Sequence, residues 1–510
     1  MKQNSLLILV FLFCFTQIYA QEAPIGPRKI HQLGTKYAKA SLAEYREFLS
    51  ISNDANIPEQ LEPNMQWAEA AFQKRGFSTK RLPTSGLELI LAEKNVEGEA
   101  KTVLFYVQID GQPVDPSKWF QPTPFTPVLK KQDTQGNWTP LDWKALNGDI
   151  DMDWRIFARS TSDAKGPINM FLAAMDAIEE AGVNPNYNIK VIMDCEEELG
   201  SPNLPAAVKV HKEALAADML VILDGPMHPS SQPTLVFGAR GIATMRLTTY
   251  GPKFPQHSGH YGNFVPNPAL RLSQLLASMK DDDGRVTISG YYDGISIDDK
   301  TKAILDQVPD DENALKSKIG FSEADKVGSS LQEAIQYPSL NIRGMASAWV
   351  GAKVRTIIPS AAVANLDIRL VKESDPNRIL KLIRTHIEGQ GFYIIKGNEP
   401  TDEERAKHKK LISISERVAY TAFRTEFDTP IGQWLDAALS HTFGESPIKI
   451  RTHGGSVPIS PFVNTLNVPA VAVPLVNSDN NQHSPNENLR LGNYFEGVKT
   501  CIGLLVQPLK

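Results

Sequence analysis

The chain has 510 residues, a net charge of −5, 42% hydrophobic residues and 22% charged residues. That length exceeds what one simple core accommodates, so two domains are expected, in a folded globular chain rather than a disordered one. The charge has no basic block behind it, which argues against a nucleic-acid partner.

Lys2 precedes an apolar run from Leu6 to Phe15 that is too short to span a bilayer and is followed by Ile18-Tyr19-Ala20. This pattern predicts a signal peptide over about 1–20. The bulky Phe13 before Cys14 disfavours lipoprotein-type cleavage at that cysteine. No later segment is long and apolar enough to span a membrane, so the expected mature protein is exported (periplasmic or secreted) and leaves the membrane after cleavage. Only Cys195 and Cys501 would then remain, too few for a disulfide framework, and free buried thiols are expected.

Apolar residues at helical spacing predict helices over 37–75, stopped by Gly76, followed by strands over 88–92 and 102–109. A proline-rich loop from Pro113 to Pro127 leads into a polar excursion over 132–153. A helix over 166–181, a strand over 189–193, a helix over 205–216 and a strand over 219–223 come next. Such alternation is the grammar of an α/β layer around a mostly parallel sheet. After Gly241 the pattern changes. Strands over 242–250, 346–354, 362–370 and 391–395, with helices over 268–279 and 376–388, suggest an inserted α+β domain. It carries an acidic, loop-rich insertion over 281–337. The α/β pattern resumes with a helix over 430–443 and a strand over 470–474. The expected architecture is a discontinuous catalytic domain, 21–240 and 428–510, around an inserted lid, 241–427.

Acidic residues recur at the ends of the strand-like runs. Gln108 and Asp110 lie two apart and so share a face at the end of one strand. Asp163 precedes the helix over 166–181, Glu197 and Glu198 follow the strand over 189–193, and Asp224 ends the strand over 219–223. In open α/β sheets this carboxyl edge is where ligands bind. A single loop carboxylate is ordinarily a helix cap or a solvated group. Several together, with His483 in a late Asn/Gln-rich loop, suit a centre whose crowded charges are neutralised by cations, and zinc accepts such oxygen and nitrogen ligands.

Several segments, in this order, carry a resemblance: Asp110 to Pro113, Ser162-Asp163-Ala164-Lys165-Gly166, Glu197-Glu198-Leu199-Gly200-Ser201 and Leu223-Asp224-Gly225-Pro226. His257-Ser258-Gly259-His260-Tyr261-Gly262, Thr356-Ile357-Ile358-Pro359, Ile368-Arg369-Leu370-Val371, Gly454-Gly455-Ser456-Val457-Pro458 and the His483 loop continue it. From about residue 35 onward the chain resembles the M20 zinc peptidases, within them the carnosinase-like dipeptidases. The resemblance implies two zinc ions bridged by Asp163. Glu198 and His483 would complete one site, and Asp224 with the residue at 108 the other. Glu197, chosen over Glu196 because one residue separates the pair from its Gly-Ser, would be the general base toward a metal-activated water. His257 would reach the partner subunit's active site to steady the oxyanion, which implies a homodimer formed through the lid. Thr356 would be a second partner-side contact and Arg369 a clamp for a substrate carboxylate, while Gly455 and Ser456 would present hydrogen-bond donors to the substrate. On residue type alone, His257 is a solvated loop histidine and Arg369 a surface or salt-bridged arginine.

The family carries a histidine where this chain has Gln108, oriented by the Asp two residues later. An amide oxygen could bind the metal while its N–H is donated to Asp110. Such a site would hold zinc weakly or accept manganese. A two-metal centre with a weak second ion is the first expectation, a one-metal enzyme the second and an inactive relative the third. The sequence therefore suggests an enzyme that hydrolyses peptide or related amide bonds in short substrates. The alternatives are an N-acyl-amino-acid amidohydrolase and a catalytically impaired binding protein on the same scaffold.

Overall fold

The computed structural model describes residues 23–455 and 458–510, so the expected signal peptide and Ser456 lie outside the described residues. Its centre is an eight-stranded sheet. In spatial order its strands are Ser78–Leu82, Leu89–Lys94, Asn188–Asp194, Thr102–Gln108, Met219–Ile222, Ala470–Ala472, Thr234–Val236 and Ile448–Ile450. The four middle strands run parallel, while antiparallel pairs occur on both sides of them. The fold class is α/β as expected, and the mixed sheet is mostly parallel, with four parallel pairings against three antiparallel ones. One cause of the mixing is local: only six residues connect the first two strands, enough for a hairpin and too few for a parallel crossover.

Strand Thr102–Gln108 shows why the middle of the sheet is so apolar. Both of its faces are covered, so nearly every residue is buried and β-branched and aromatic types dominate. Val103, Phe105 and Val107 pack into a thick layer of helices: Pro27–Leu49, Lys165–Glu180, Pro430–Phe443 and Leu491–Val506. Leu104 and Tyr106 pack on the opposite face, beside helix Leu204–Val210 and Phe462. Gln108 shares their parity. The thick layer is close-packed around glycines. A Cβ on Gly166 would lie 2.3 Å from the Thr161 carbonyl, which explains why the second residue of the helix after Asp163 carries no side chain.

A second sheet has five strands in the order Ser339–Ala346, Ala361–Leu370, Gly241–Tyr250, Leu411–Tyr420 and Tyr393–Ile394. Its own core alternates along the strands (Ala243, Met245, Leu247; Ala364, Leu366, Ile368) and is closed by helices Pro268–Ala277 and Pro376–Gly389. The strand expected over 346–354 ends where it was expected to begin. Ala348 and Gly351 adopt positive φ, and Trp349, Val350 and Val354 are exposed, so this apolar run buries no face. The 281–337 insertion contains the short helices Asp299–Leu305, Glu312–Ile319 and Leu331–Ala334. A four-stranded sheet, Asn488–Arg490, Arg155–Phe157, Val128–Gln132 and Trp138–Pro140, organises the polar excursion. Cys195 and Cys501 are free and buried, and among the described residues no helix is long and apolar enough to cross a membrane.

One buried cation ties the helical layer together. Arg75 reaches both Glu44, on the first helix, and Asp176, on the helix that follows Asp163, at 2.7 Å each. Arg75→Ala is expected to destabilise the protein by about 2–3 kcal/mol in chemical denaturation. This is below the usual cost of breaking a buried pair, because both acids partly reach solvent.

Candidate metal centre

Gln108 closes its strand with its side chain almost fully buried, and Asp110 two residues on is completely buried. Asn53 holds the chain between them, donating from Nδ2 to the Ile109 carbonyl and accepting the Gly111 N–H at its own carbonyl, both at 2.8 Å. Asp163 comes from the turn before helix Lys165–Glu180, and a cis peptide joins it to Ala164. The buried Glu487 carboxylate organises that turn. It accepts N–H groups from Ser160 (2.9 Å), Ser162 (2.8 Å) and Asp163 (3.0 Å), and its charge is met by Arg159 at 2.7 Å. Glu197 and Glu198 lie in the 3₁₀ turn Glu197–Leu199, which ends at Gly200 with φ 80°. The Gly200 carbonyl accepts the Tyr420 hydroxyl of the second sheet at 2.6 Å. Asp224 follows strand Met219–Ile222.

These turns meet His483. Its Nε2 lies 3.0 Å from Asp163 Oδ2 and 3.5 Å from Glu198 Oε2. Among the described residues, Asp163, Glu198 and His483 offer three ligand atoms all within 4.8 Å of one another. The other Asp163 oxygen, Oδ1, accepts the Gln108 amide N–H at 2.7 Å. This differs from the expected Gln108–Asp110 pairing. Asp110 instead accepts the backbone N–H of Glu198 at 2.9 Å, and the longer glutamine side chain reaches across to Asp163. Asp163, Glu197, Asp224, His453, Gly455 and His483 line one cavity of about 240 Å³.

The electrostatics are those of a centre awaiting positive charge. Glu197 is pushed well above the ordinary carboxylate range, first by burial and then by Asp224, Glu198 and Asp163. Burial and then Asp163 do the same to Glu198, and raise Asp224 to about 7. Burial, followed by Asp194, raises Asp110. The hydrogen bond to Asp163 raises His483. Gln108 Oε1, Asp110 Oδ1 and Glu198 Oε1 are buried without hydrogen-bond partners. Orphaned buried oxygens beside a carboxylate–imidazole set fit a divalent cation, because each such atom is costly unless something electropositive meets it.

The remaining expected residues lie elsewhere. His257 is exposed in the two-residue strand Gln256–His257, which pairs with Ile357–Ile358, and the Thr356 carbonyl accepts the Ser258 N–H at 3.1 Å. Neither His257 nor Thr356 lines the cavity. Arg369 is half-buried on strand Ala361–Leu370, 3.5 Å from Asp367. Four contributors had no sequence signal. They are Gln112, which donates to Glu198 Oε2 at 2.6 Å; Glu487 and Arg159; and the buried Arg240, whose high pKa is lowered to about 10 by burial and then by Arg369. The 281–337 insertion braces the cavity wall. Asp310 meets His228 at 3.1 Å, and Gln336 accepts Thr452 Oγ1 at 3.0 Å, next to His453.

The sequence pattern of peptidase family M20/M25/M40 matches residues 104–507. The chain belongs to that family. A Cys-Gly metallodipeptidase of Schizosaccharomyces pombe is 24% identical over 439 residues, covering 84% of this chain and 85% of that protein. The human Beta-Ala-His dipeptidase is 26% identical over 422 residues, 81% of this chain and 75% of the relative. Among solved structures, an M20 family metallo-carboxypeptidase from Sulfolobus solfataricus superposes with a TM-score of 0.73 at 26% identity, covering 92% of this chain and 98% of that one. Human carnosine dipeptidase 1 superposes at 0.70 with 22% identity, covering 95% and 99%. Membership brings metal-dependent hydrolysis of peptide bonds.

A raised carboxylate pKa has a definite sign for stability. An acid that holds its proton more tightly when folded makes the folded state less stable as pH rises from its unfolded to its folded pKa. For Asp224 that interval runs from 3.8 to about 7. In chelator-treated protein, Asp224→Asn is expected to raise the unfolding temperature at about pH 8, by a stabilisation on the order of 1–2 kcal/mol, and to have little effect near pH 4. Calorimetry at the two pH values checks this; equal effects at both would contradict it.

Proposed function

We propose that the protein is an exported, zinc-dependent dipeptidase-like hydrolase acting on short peptides with a free carboxylate. The observation that carries this reading is the convergence of Asp163, Glu198 and His483 within 4.8 Å, beside a cavity that also contains Glu197 and Asp224. Asp163, Glu198 and His483 would hold a cation, with Asp224 and Gln108 bordering a second position. A divalent ion bound there would supply Lewis acidity toward the scissile carbonyl and the attacking water.

Glu197 is the proposed base. It lines the same cavity as Asp163, Asp224 and His483, where a carboxylate can accept a proton from water. It takes that proton from the attacking water and returns it to the departing amine. Asp110 fixes the turn that carries both glutamates through the Glu198 N–H. Glu487 fixes the Asp163 turn in the same way, with three backbone donors. Gly455, whose neighbour Ser456 lies outside the described residues, lines the cavity where the substrate backbone would pass.

For substrate choice, the small cavity and the curated relatives, which include Cys-Gly and Beta-Ala-His dipeptidases, favour dipeptides. Arg369 is the proposed carboxylate clamp. Its planar guanidinium, half-buried on strand Ala361–Leu370, is suited to a carboxylate. His257 and Thr356 are assigned to the active site of a partner subunit in a homodimer formed through the second sheet. Their adjacent, exposed placement away from the chain's own cavity supports this. The division into a catalytic unit (21–240 and 428–510) and a lid (241–427) is supported by the separate core of the five-stranded sheet.

Chelation is expected to abolish hydrolysis of a dipeptide panel containing Cys-Gly and β-Ala-His, and zinc to restore it. Glu197→Gln is expected to lower kcat by about 10²–10⁴-fold with bound metal unchanged, as measured by steady-state kinetics and elemental analysis. Full activity in that variant would remove Glu197 as the base; chelator-resistant turnover would refute the metal dependence.

A further inference from the structure

We propose that Gln108 stands in for a second cation: its amide N–H, rather than a metal, holds the Asp163 oxygen nearest strand Thr102–Gln108, so that the chain binds one divalent ion where a histidine would support two. This rests on the metallopeptidase reading of the centre and goes further by fixing the number of ions.

The two Asp163 oxygens have different surroundings. Oδ2 faces His483 at 3.0 Å and belongs to the set with Glu198 that can close around an ion. Oδ1 faces the Gln108 amide at 2.7 Å, within the range of a charge-assisted hydrogen bond. Both side chains are buried, Gln108 to 1% exposure and Asp163 to 6%, so the bond is shielded from competing water. The carboxylate is thereby satisfied on both sides by one cation and one amide.

A second ion would draw on Asp163 Oδ1, Asp224 and Gln108. Only the two acids are anionic, and one Asp224 oxygen already accepts the Gly225 N–H at 2.7 Å. A neutral amide oxygen is a poorer donor to zinc than an imidazole nitrogen. The geometry also makes the alternatives exclusive. If the amide turned to present Oε1, two oxygens would face each other where the hydrogen bond now lies, an arrangement that requires a cation between them. Gln112 repeats the device nearby, its amide donating to Glu198 Oε2 at 2.6 Å. Two amides thus temper the charge of the two carboxylates that face His483. Glu198 Oε2 stays 3.5 Å from His483 Nε2, within the set that can close around the single ion.

The test counts ions. Metal-free wild type, Gln108→His and Gln108→Glu are each dialysed against excess zinc at neutral pH. Bound zinc per chain is then measured by elemental analysis, and stepwise affinities by calorimetric titration. The expected result is about one ion in the wild type and about two in at least one folded variant. The second ion should bind at least about 100-fold more tightly in that variant than in the wild type. Two tightly held ions in the wild type would overturn the proposal while leaving the metallopeptidase reading intact. A count of one in every folded variant would overturn Gln108 as the determinant. A wild type that binds no zinc, and hydrolyses no dipeptide with zinc or manganese, would instead remove the reading on which the proposal stands.

Discussion

Like-charge repulsion is the constraint around which this protein is arranged. Asp110, Asp163, Glu197, Glu198 and Asp224 arrive from four separate turns and are packed into one partly dry space. Four of them are held above the ordinary carboxylate range, with burial the first cause. A folded chain tolerates such crowding only if positive charge or protons neutralise it. The rigid parallel strands beneath, and the Asn53 and Glu487 braces beside them, oppose the tendency of these turns to spread apart. Stability and chemistry are therefore in tension at the same atoms, and a cation held by Asp163, Glu198 and His483 would relieve it.

The sheet and the acids were legible because both follow local rules. A strand covered on both faces must be apolar throughout, and Thr102–Gln108 declares itself that way. An α/β sheet collects ligands at its carboxyl edge, so acids at strand ends point to a site before any coordinates exist. What escaped the sequence depends on tertiary placement. Leu411–Tyr420 is a full-length strand, yet its middle is exposed and carries Ser, Glu and Arg, so no alternation marks it. The apolar run after Ala346 reads as a strand but lies at a sheet edge and turns away at Ala348 and Gly351.

The supporting shell of the site was invisible for a related reason. Glu487 is one acid in a polar loop, and nothing nearby indicates that three N–H groups and an arginine from some 325 residues earlier in the chain will surround it. Gln112 and Arg240 are likewise ordinary in their own segments. Gln108 was conspicuous only as a departure from a pattern. Its actual partner, Asp163, differs from Asp110, the partner that the family's histidine–aspartate pair suggested, because the glutamine amide reaches across to the neighbouring turn.

The Tyr420–Gly200 hydrogen bond joins the last long strand of one sheet to the turn that carries Glu197 and Glu198. Gly200 has no room for a Cβ beneath that phenol, which would lie 2.3 Å away. Any swing of the five-stranded body about the other must therefore either snap this tether or drag the glutamates with it. Through this one bond the orientation of the five-stranded body and the aim of the proposed base depend on each other.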